Sequence, residues 1–294
     1  MKIAVMGAGA VGCYYGGLLA LDGHEVTLIA RAQHAEAVNR QGLRLERQDG
    51  SVYVKMWAST EAEAARGAEL VLVCVKSADT AAAGAALRPF LGPEVVVFSL
   101  QNGVDNAARL QELLGRMVIP TVVYVGTDMA GPGHVRHHGG GRLVLGESPA
   151  SAALAETFIH AGIPTEVSDN VQGALWAKMI LNCAYNAISA ITRLPYGRFA
   201  QFTGTEQILR DVVNECLAVA ARLHVVVPGD VPEAVRQIAL TMPKQCSSTA
   251  QDLARGKSTE IDYLNGYVVR QGEALGVPVP VNRVLHALVK MLEA

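Results

Sequence analysis

The sequence predicts an α/β protein with an N-terminal doubly wound parallel sheet followed by a mostly α-helical C-terminal domain. Its 294 residues are enough for two domains. Hydrophobic residues make up 50% of the chain and aromatic residues only 5%, a composition typical of buried parallel strands covered by helices. A glycine-rich segment also separates the first apolar run from the first helical pattern, as in nucleotide-binding α/β sheets.

Charge and cysteine content narrow the function classes. The formal net charge is −2, so the chain lacks the basic excess typical of nucleic-acid-binding proteins. No uncharged run reaches the roughly 18 residues that a membrane span needs, and we expect a cytoplasmic protein with a small-molecule partner. The five cysteines are far apart and form no C-x-x-C pair, so we interpret them as buried thiols rather than disulfides or a zinc site.

The first half of the chain alternates between predicted strands and helices. Lys2–Met6 is a short apolar run, 11–21 has a helical pattern rich in small residues, and 25–30 is rich in β-branched residues. Together they predict one β-α-β unit. Further apolar runs, separated by alanine-rich segments, extend the sheet at 70–75, 95–100 and 118–125.

The chain changes character after residue 133. Residues 134–147 are glycine-rich, and we predict a turn at 137–141 followed by a strand at 142–145. Helical patterns then cover 171–191, 206–223, 231–240 and 260–275, and a last helix follows Pro278 and Pro280. We therefore place a nucleotide-binding domain at 1–168 and an all-α substrate-binding domain at 169–294.

A G-x-G-x-x-G motif lies directly between the first strand and the first helix. Its glycines would form the turn and let the backbone approach a pyrophosphate, while the helix N-terminus supplies an anion site. The alternative is a purely structural turn. In this strand–turn–helix context we assign cofactor binding to the motif residues Gly7, Ala8, Gly9, Ala10, Val11 and Gly12.

The end of the second predicted strand favours NADP(H) over NAD(H). NAD-selective chains place a carboxylate there for the ribose hydroxyls, whereas this strand ends with Arg31. A guanidinium can pair with a 2′-phosphate through two charge-assisted hydrogen bonds. The alternative is a solvated arginine without a ligand.

Two further polar residues follow predicted strands. Lys76 comes after 70–75 and Asn102 after 95–100, so both lie at carboxyl ends of parallel strands, where such sheets bind ligands. An exposed loop charge and an Asn-Gly turn explain the same residues without a ligand. Their spacing leaves the two interpretations open.

Polar residues recur every three or four positions in the helical pattern at 171–191. Lys178, Asn182, Asn186 and Ser189 fall within an arc of about 80° on a helix whose other faces are apolar. An ordinary solvent-facing stripe usually carries several charges, whereas this one has a single amine. We therefore favour a site in which Lys178 is the proton donor.

Other polar segments have structural alternatives. Ser248 and Gln251 have the spacing of a capping box, and Glu260 and Asp262 suit the first turn of a helix. The histidines at 134, 137 and 138 lack a carboxylate at ligand spacing, so we expect no metal site.

Together these segments resemble the ketopantoate reductase (2-dehydropantoate 2-reductase) family over nearly the whole chain. The resemblance is carried by MKIAVMGAGAVG, LIAR, VCVKS, QNG, AKMILNCAYN, SSTAQDL and TEIDYLNGYVVRQGEALGVPVPVN. The last block is far more specific than the glycine motif, because many unrelated activities share that motif.

The resemblance implies a Rossmann-type domain, a helical domain and NADPH-dependent reduction of 2-dehydropantoate to (R)-pantoate in pantothenate and coenzyme A biosynthesis. Lys178 matches the family's general acid. Glu260 matches the carboxylate that positions this lysine, the substrate hydroxyl and the cofactor. Asn182, Asn186, Ser248 and Asn102 match substrate-binding positions. Lys76, Asn102 and Arg31 match cofactor-binding positions.

Two alternatives remain open. A reductase of another branched 2-oxo acid would share the chemistry and differ in the pocket. A non-catalytic NADP-binding sensor would bind cofactor without turnover, and the combination of Lys178 with Glu260 argues against it. The sequence also leaves open whether the chain forms a homodimer.

Overall fold

Strands in the first part of the chain form one sheet with the order expected for dinucleotide binding. In this computed structural model, which describes residues 1–294, the chain divides into the units Met1–Val171 and Gln172–Ala294. The strands are β1 (Lys2–Met6), β2 (Glu25–Ile29), β3 (Leu43–Arg47), β4 (Gly50–Val54), β5 (Trp57–Ser59), β6 (Leu70–Val73), β7 (Val96–Ser99), β8 (Val118–Gly131), β9 (His134–Gly146) and β10 (Thr165–Ser168). The parallel part runs β5-β2-β1-β6-β7-β8, so the winding reverses between β1 and β6.

Helices connect these strands, and both faces of the sheet are buried. They are α1 (Ala10–Leu21), α2 (Ala32–Gln41), α3 (Thr80–Leu87), α4 (Asn106–Leu114) and α5 (Ser151–His160). Side chains alternate between two apolar clusters: Ile3 and Val5 of β1 pack in one, and Ala4 packs in the other. Successive side chains of this apolar strand thus point to opposite faces of the sheet, and both faces are covered. This arrangement confirms the predicted α/β class.

The predicted turn at 137–141 is wrong, because these residues lie inside β9. β8 and β9 form a long antiparallel hairpin with register shifts after Tyr124 and Gly126. Gly140 has φ +74°, and a Cβ there would lie 2.5 Å from the Tyr124 carbonyl oxygen. Glycine marks β-bulges as well as turns, and here it permits the bulge. β9 also pairs with the β3–β4 hairpin and with β10, so it lies within the sheet rather than at its edge.

The second unit is helical. Its helices are α6 (Val171–Thr192), α7 (Tyr196–Phe199), α8 (Thr205–Arg222), α9 (Val231–Thr241), α10 (Ser248–Ala254), α11 (Asn265–Leu275) and α12 (Pro280–Glu293). The patterns at 171–191, 206–223 and 231–240 match helices to within one residue at each end. The pattern at 260–275 does not, because Ile261–Tyr263 is a separate 3₁₀ turn and α11 begins at Asn265. No helix of either unit is both long and apolar enough to span a bilayer.

α6 is held by polar and aromatic contacts along its length. The Asn265 amide donates to the Cys183 carbonyl oxygen at 3.1 Å, and the Tyr185 hydroxyl donates to the Val235 carbonyl oxygen at 2.8 Å. Near its start, the rings of Trp176 and Tyr267 meet edge to face at 6.0 Å. These contacts fix the rotation of α6 about its axis and hence the direction of its polar stripe.

All five cysteines are free thiols. Cys13, Cys183 and Cys216 are buried, as predicted for the whole set, but Cys74 and Cys246 are partly exposed. The spacing of the cysteines correctly argued against disulfides, whereas the packing around each thiol decides its exposure.

Candidate active site

The glycine-rich turn between β1 and α1 has no room for side chains at two of its glycines. Gly7 has φ +93°, and a Cβ there would lie 2.6 Å from the Val75 amide nitrogen. A Cβ on Gly12 would lie 2.6 Å from the Gly7 carbonyl oxygen. Gly9 has nothing within 4 Å of its Cβ position, so its backbone faces open space. The turn is therefore closed toward the sheet and open at Gly9, where a ligand can approach.

The N-terminus of α1 fits an anionic group. The backbone amides of Ala10, Val11 and Gly12 have no acceptor within the chain, and the first amide of α1 to find one is that of Cys13, which donates to Gly9 at 2.8 Å. Three free amides at the positive end of a helix suit a phosphate. Together with the open Gly9 backbone, they fit the pyrophosphate of a dinucleotide.

Arg31 lies just beyond the end of β2, as the N-cap residue of α2. Its side chain is exposed and forms no hydrogen bond or ion pair within the chain. A guanidinium that no carboxylate of the protein neutralises is available to an anionic ligand.

Buried hydrogen bonds join the loops that carry Lys76 and Asn102. The Ser77 hydroxyl donates to the Asn102 carbonyl oxygen at 2.8 Å, and the Asn106 amide donates to the same oxygen at 2.6 Å. Asn106 also donates to the Ser77 hydroxyl at 3.1 Å and accepts from the Thr80 hydroxyl at 2.9 Å. The loops after β6 and β7 are thereby fixed to each other beside the point where the winding reverses.

Sequence reasoning missed the residues of this network. Ser77, Thr80 and Asn106 are each at most 3% exposed, although no local pattern distinguishes them from ordinary loop residues. The sequence does show that these polar side chains lie within a few residues of the ends of β6 and β7, which is the one pattern that could have indicated a shared role. Only their burial shows that they shape the loops.

The polar stripe of α6 divides into two parts. Ser189 is fully buried, where its hydroxyl donates to Leu194 at 3.0 Å and accepts from the Ser247 amide at 3.2 Å. It therefore stabilises the chain that follows α6. Lys178 and Asn182 are partly buried and Asn186 is buried, and these three remain the candidate site residues of the stripe.

Lys178 has an altered acidity. Burial lowers the pKa of its amine from an ordinary 10.5 to about 8, and the negative charge of Glu260 opposes this effect. Glu260 lies outside the helices, between Thr259 and the 3₁₀ turn. A lysine with a pKa of about 8 can release a proton near neutral pH, which an exposed lysine does poorly.

Ser248 does not cap α10, so the structural alternative to a binding role does not explain this residue. Ser247 caps α10: its hydroxyl accepts from the Ala250 amide at 3.0 Å and donates to the Asn186 carbonyl oxygen at 3.0 Å. Gln251 donates to Cys246 at 3.2 Å instead of completing a capping box. Both adjacent serines are suitable N-cap residues by type and position. The hydrogen bond to Asn186 on α6 explains why Ser247 is the cap. The exposed Ser248 is left without a capping function.

We expect the two serines to respond differently to substitution. Ser247→Ala removes a cap and a bond to α6 and should lower the free energy of unfolding by about 1 kcal/mol or more. Ser248→Ala, its neighbour and control, should leave that free energy unchanged. Chemical denaturation measures both, and equal destabilisation would contradict the assignment of the cap.

The three histidines of β9 have separate structural partners. His134 Nε2 lies 2.7 Å from Glu46 Oε2, His138 Nε2 lies 2.7 Å from Asp128 Oδ1, and the ring of His137 stacks on Tyr14 at 4.5 Å. No group of three or more metal-ligating side chains is present.

The strand order, the glycine turn and the free amides of α1 define a Rossmann-type dinucleotide-binding protein, and its second unit adds a lysine suited to proton transfer. These are the features of an oxidoreductase. The ketopantoate reductase PanE/ApbA family model matches residues 3–150, and the model of that family's C-terminal part matches residues 170–293. The chain therefore belongs to the ketopantoate reductase PanE/ApbA family.

Individual relatives support this assignment over the full chain. The 2-dehydropantoate 2-reductase of Halobacterium salinarum is 36% identical over 306 residues, with 100% of this chain and 99% of that protein covered. The structure of a PanE/ApbA family ketopantoate reductase from Ralstonia eutropha JMP134 has 61% identity and a TM-score of 0.98, covering 100% of this chain and 98% of that one.

A second named activity occurs among the structural relatives. D-mandelate dehydrogenase, solved with NADH and anilino(oxo)acetate, has 25% identity and a TM-score of 0.92, with 100% of this chain and 98% of that chain covered. These comparisons confirm the predicted family and fold, and they identify the chain as an oxidoreductase.

Proposed function

We propose that this protein reduces 2-dehydropantoate to (R)-pantoate with NADPH, a step of pantothenate and coenzyme A biosynthesis. The first unit binds the cofactor and the second supplies the catalytic and most substrate-binding groups. The observation that carries the proposal is the single amine on the polar face of α6, Lys178, whose pKa burial lowers to about 8 while the negative charge of Glu260 opposes this effect. Named relatives over the full length of the chain support the choice of substrate.

The chemistry divides between cofactor and protein. Bound NADPH supplies a hydride to the 2-oxo carbon. The Lys178 ammonium donates a hydrogen bond to the ketone oxygen, and its proton passes to that oxygen as negative charge develops. The products are a 2-hydroxy acid and a neutral lysine amine, which regains a proton from solvent. Glu260 favours the protonated amine that begins each cycle.

Polar side chains of no net charge hold the substrate. Asn182 and Asn186 present amides from α6, Ser248 presents a hydroxyl, and the family resemblance adds Asn102 as a further substrate-binding residue. Amides and hydroxyls can donate to a carboxylate and also pair with a hydroxyl, which matches the two polar ends of 2-dehydropantoate.

The residues that we propose as cofactor contacts all lie in the first unit. The amides at the start of α1 take the pyrophosphate, and Arg31 takes the 2′-phosphate. Lys76 and Asn102, which lie after β6 and β7, border the cofactor on the side where the winding reverses. NADP(H) is proposed because the exposed Arg31 side chain has no partner within the chain.

A second candidate is a reductase of a different 2-oxo acid. It is favoured by the similarity to D-mandelate dehydrogenase, whose named activity concerns an aromatic 2-hydroxy acid. The hydride and proton chemistry would be the same, and only the pocket around the acid would differ.

One set of rate measurements separates these candidates. NADPH oxidation is followed by absorbance with ketopantoate, 2-oxoisovalerate, pyruvate and phenylglyoxylate, and ketopantoate is repeated with NADH. We expect the highest kcat/KM with ketopantoate and NADPH. Faster reduction of another acid would favour the second candidate, and tight NADPH binding without any turnover would favour a non-catalytic sensor.

The pH dependence of the reaction follows from Lys178. Reduction needs the protonated amine, so kcat should be constant below the pKa of about 8 and fall about tenfold per pH unit above it. Oxidation of pantoate needs the neutral amine and should rise through the same pH range. Opposite pH profiles for the two directions are expected, and parallel ones would contradict the role of Lys178.

We also propose a homodimer in the cytoplasm. α12 exposes an apolar stripe of Val284, Leu288, Met291 and Leu292 at spacings of three and four residues. A second copy of the chain is the partner we expect on it, because most soluble oligomers are homo-oligomers. Sedimentation equilibrium should give twice the monomer mass, and Leu288→Glu should give the monomer.

A further inference from the structure

The segment that carries Glu260 is irregular, and a side chain of α12 holds it. Glu260 directly precedes the 3₁₀ turn Ile261–Tyr263, and its carbonyl oxygen accepts from the Tyr263 amide at 2.9 Å. The Thr259 amide and hydroxyl donate to Glu293 Oε1 at 2.7 and 2.6 Å, and the Thr259 hydroxyl accepts from the Ile261 amide at 3.2 Å. One carboxylate oxygen thus fixes the residue immediately before Glu260.

The residue two positions after Glu260 is held by the same helix. His286 Nε2 lies 2.6 Å from Asp262 Oδ1, and the Lys290 amine donates to Asp262 Oδ2 at 3.0 Å. Lys290 also pairs with Glu293 at 2.6 Å, which closes the network along α12. From α11, Arg270 donates to the Asp262 carbonyl oxygen at 2.8 Å. Both flanks of Glu260 therefore depend on α12.

The charged groups of this network stabilise one another. Hydrogen bonds that Lys290 donates to the carboxylates of Glu293 and Asp262 raise the pKa of its amine. Burial alone would raise the pKa of the Glu293 carboxyl, but hydrogen bonds from Lys290 and Thr259 lower it below its ordinary value. Asp262 behaves in the same way, with His286 and Lys290 as its partners. At neutral pH the carboxylates of Asp262 and Glu293 are therefore ionised and the amine of Lys290 is protonated.

We propose that Glu293 is a positioning residue for the Lys178–Glu260 pair, acting through Thr259 on the backbone of Glu260. The inference rests on the proposed function, in which Lys178 donates the proton and Glu260 favours the protonated amine. The interaction between two charges depends on their separation, and a shift of about 1 Å in a catalytic group can cost about 100-fold in rate. Glu293 is 33 residues away in sequence and contacts the segment only through the fold.

Matched variants test the individual bonds. Glu293→Ala removes the acceptor of both Thr259 bonds and should lower kcat by about 10- to 100-fold with an unchanged Kd for NADPH. Glu293→Gln keeps an oxygen acceptor and should restore most of kcat. Thr259→Val removes both bonds of the hydroxyl, the one to Glu293 and the one from the Ile261 amide, keeps the Thr259 amide bond to Glu293, and should also lower kcat. Glu273→Ala, which breaks the ion pair between α11 and Arg283 of α12, is the control and should retain kcat.

A second readout does not depend on turnover. In protein labelled with ¹³C at lysine Cε, the Lys178 signal is assigned by its loss in Lys178→Met, and its titration is followed by NMR. In Glu293→Ala the midpoint should fall below that of the wild type, because Glu260 no longer supports the protonated amine as strongly. Glu293→Gln and Glu273→Ala should retain the wild-type midpoint.

The two readouts separate the failure of this inference from failure of the proposed function. If Glu293→Ala changes neither the Lys178 midpoint nor kcat, and alters only the thermal unfolding temperature, Glu293 is purely structural and the inference is overturned. If the midpoint shifts while the wild type reduces no 2-oxo acid, the positioning role stands and the proposed reaction is wrong.

Discussion

Lys178→Met is expected to lower kcat for 2-oxo acid reduction by about 10²- to 10⁴-fold without unfolding the protein. Methionine has nearly the length and volume of lysine and packs well on a partly apolar helix, so the substitution removes the proton donor and little else. Stopped-flow or steady-state NADPH oxidation measures the loss. Binding of NADPH, which we propose for the first unit, should be unchanged.

The same substitution should increase stability near neutral pH. The pKa of Lys178 falls from 10.5 when exposed to about 8 in the folded protein, so the unfolded chain holds the proton more tightly. Wild-type stability therefore rises with pH between about 8 and 10.5, and below about 8 the full cost of the buried charge is present. Removing the amine should recover up to about 3 kcal/mol at pH 7.

Two results would contradict this account. A variant that retains turnover would remove Lys178 from the mechanism, and a variant that loses both turnover and stability would make its role structural. Lys55→Met, an exposed lysine of the first unit, is the matched control and should change neither property.

Arg31→Ala is expected to weaken NADPH binding by about 10- to 100-fold and leave NADH binding nearly unchanged. Two charge-assisted hydrogen bonds to a 2′-phosphate contribute roughly 1.5–3 kcal/mol, and NADH has no phosphate at that position. We therefore propose the Arg31 guanidinium, at the start of α2, as the main determinant of selectivity for NADPH over NADH. Calorimetric Kd values and kcat/KM for both cofactors measure it.

The control for this prediction lies on the same helix. Arg40 is exposed in the last turn of α2, and Arg40→Ala should leave the NADPH to NADH ratio unchanged. An equal loss of affinity for both cofactors in Arg31→Ala would show that the arginine supports the loop instead of recognising the phosphate.

Local patterns in the sequence were sufficient for the α/β class, the family and most helices of the second unit. The glycine motif between an apolar run and a helical pattern predicts the turn at Gly7–Gly12, because steric limits on a strand–turn–helix act within a few residues. The 3.6-residue period of α6 likewise placed Lys178, Asn182 and Asn186 on one face. Such features depend on neighbours in the chain, so one sequence contains all of their causes.

Tertiary contacts decided where two or more local interpretations competed. Glycines at 139–141 signal a turn or a bulge equally, and pairing with β8 selected the bulge. Adjacent serines are equivalent caps, and the hydrogen bond from Ser247 to Asn186 on α6 selected the first. The expected helix at 260–264 gave way to a 3₁₀ turn, because Thr259 before the turn and Asp262 within it bond to side chains of α12.

The sequence by itself therefore determined the fold class, the cofactor turn and the chemical types of the candidate catalytic groups. Only the tertiary structure decided the acidity of Lys178, the burial of Ser189 and Asn106, and the hydrogen bonds between Thr259 and Glu293. The physical reason is distance along the chain. Periodicity and turn chemistry arise from residues a few positions apart, whereas desolvation and long-range hydrogen bonds depend on segments that meet only after folding.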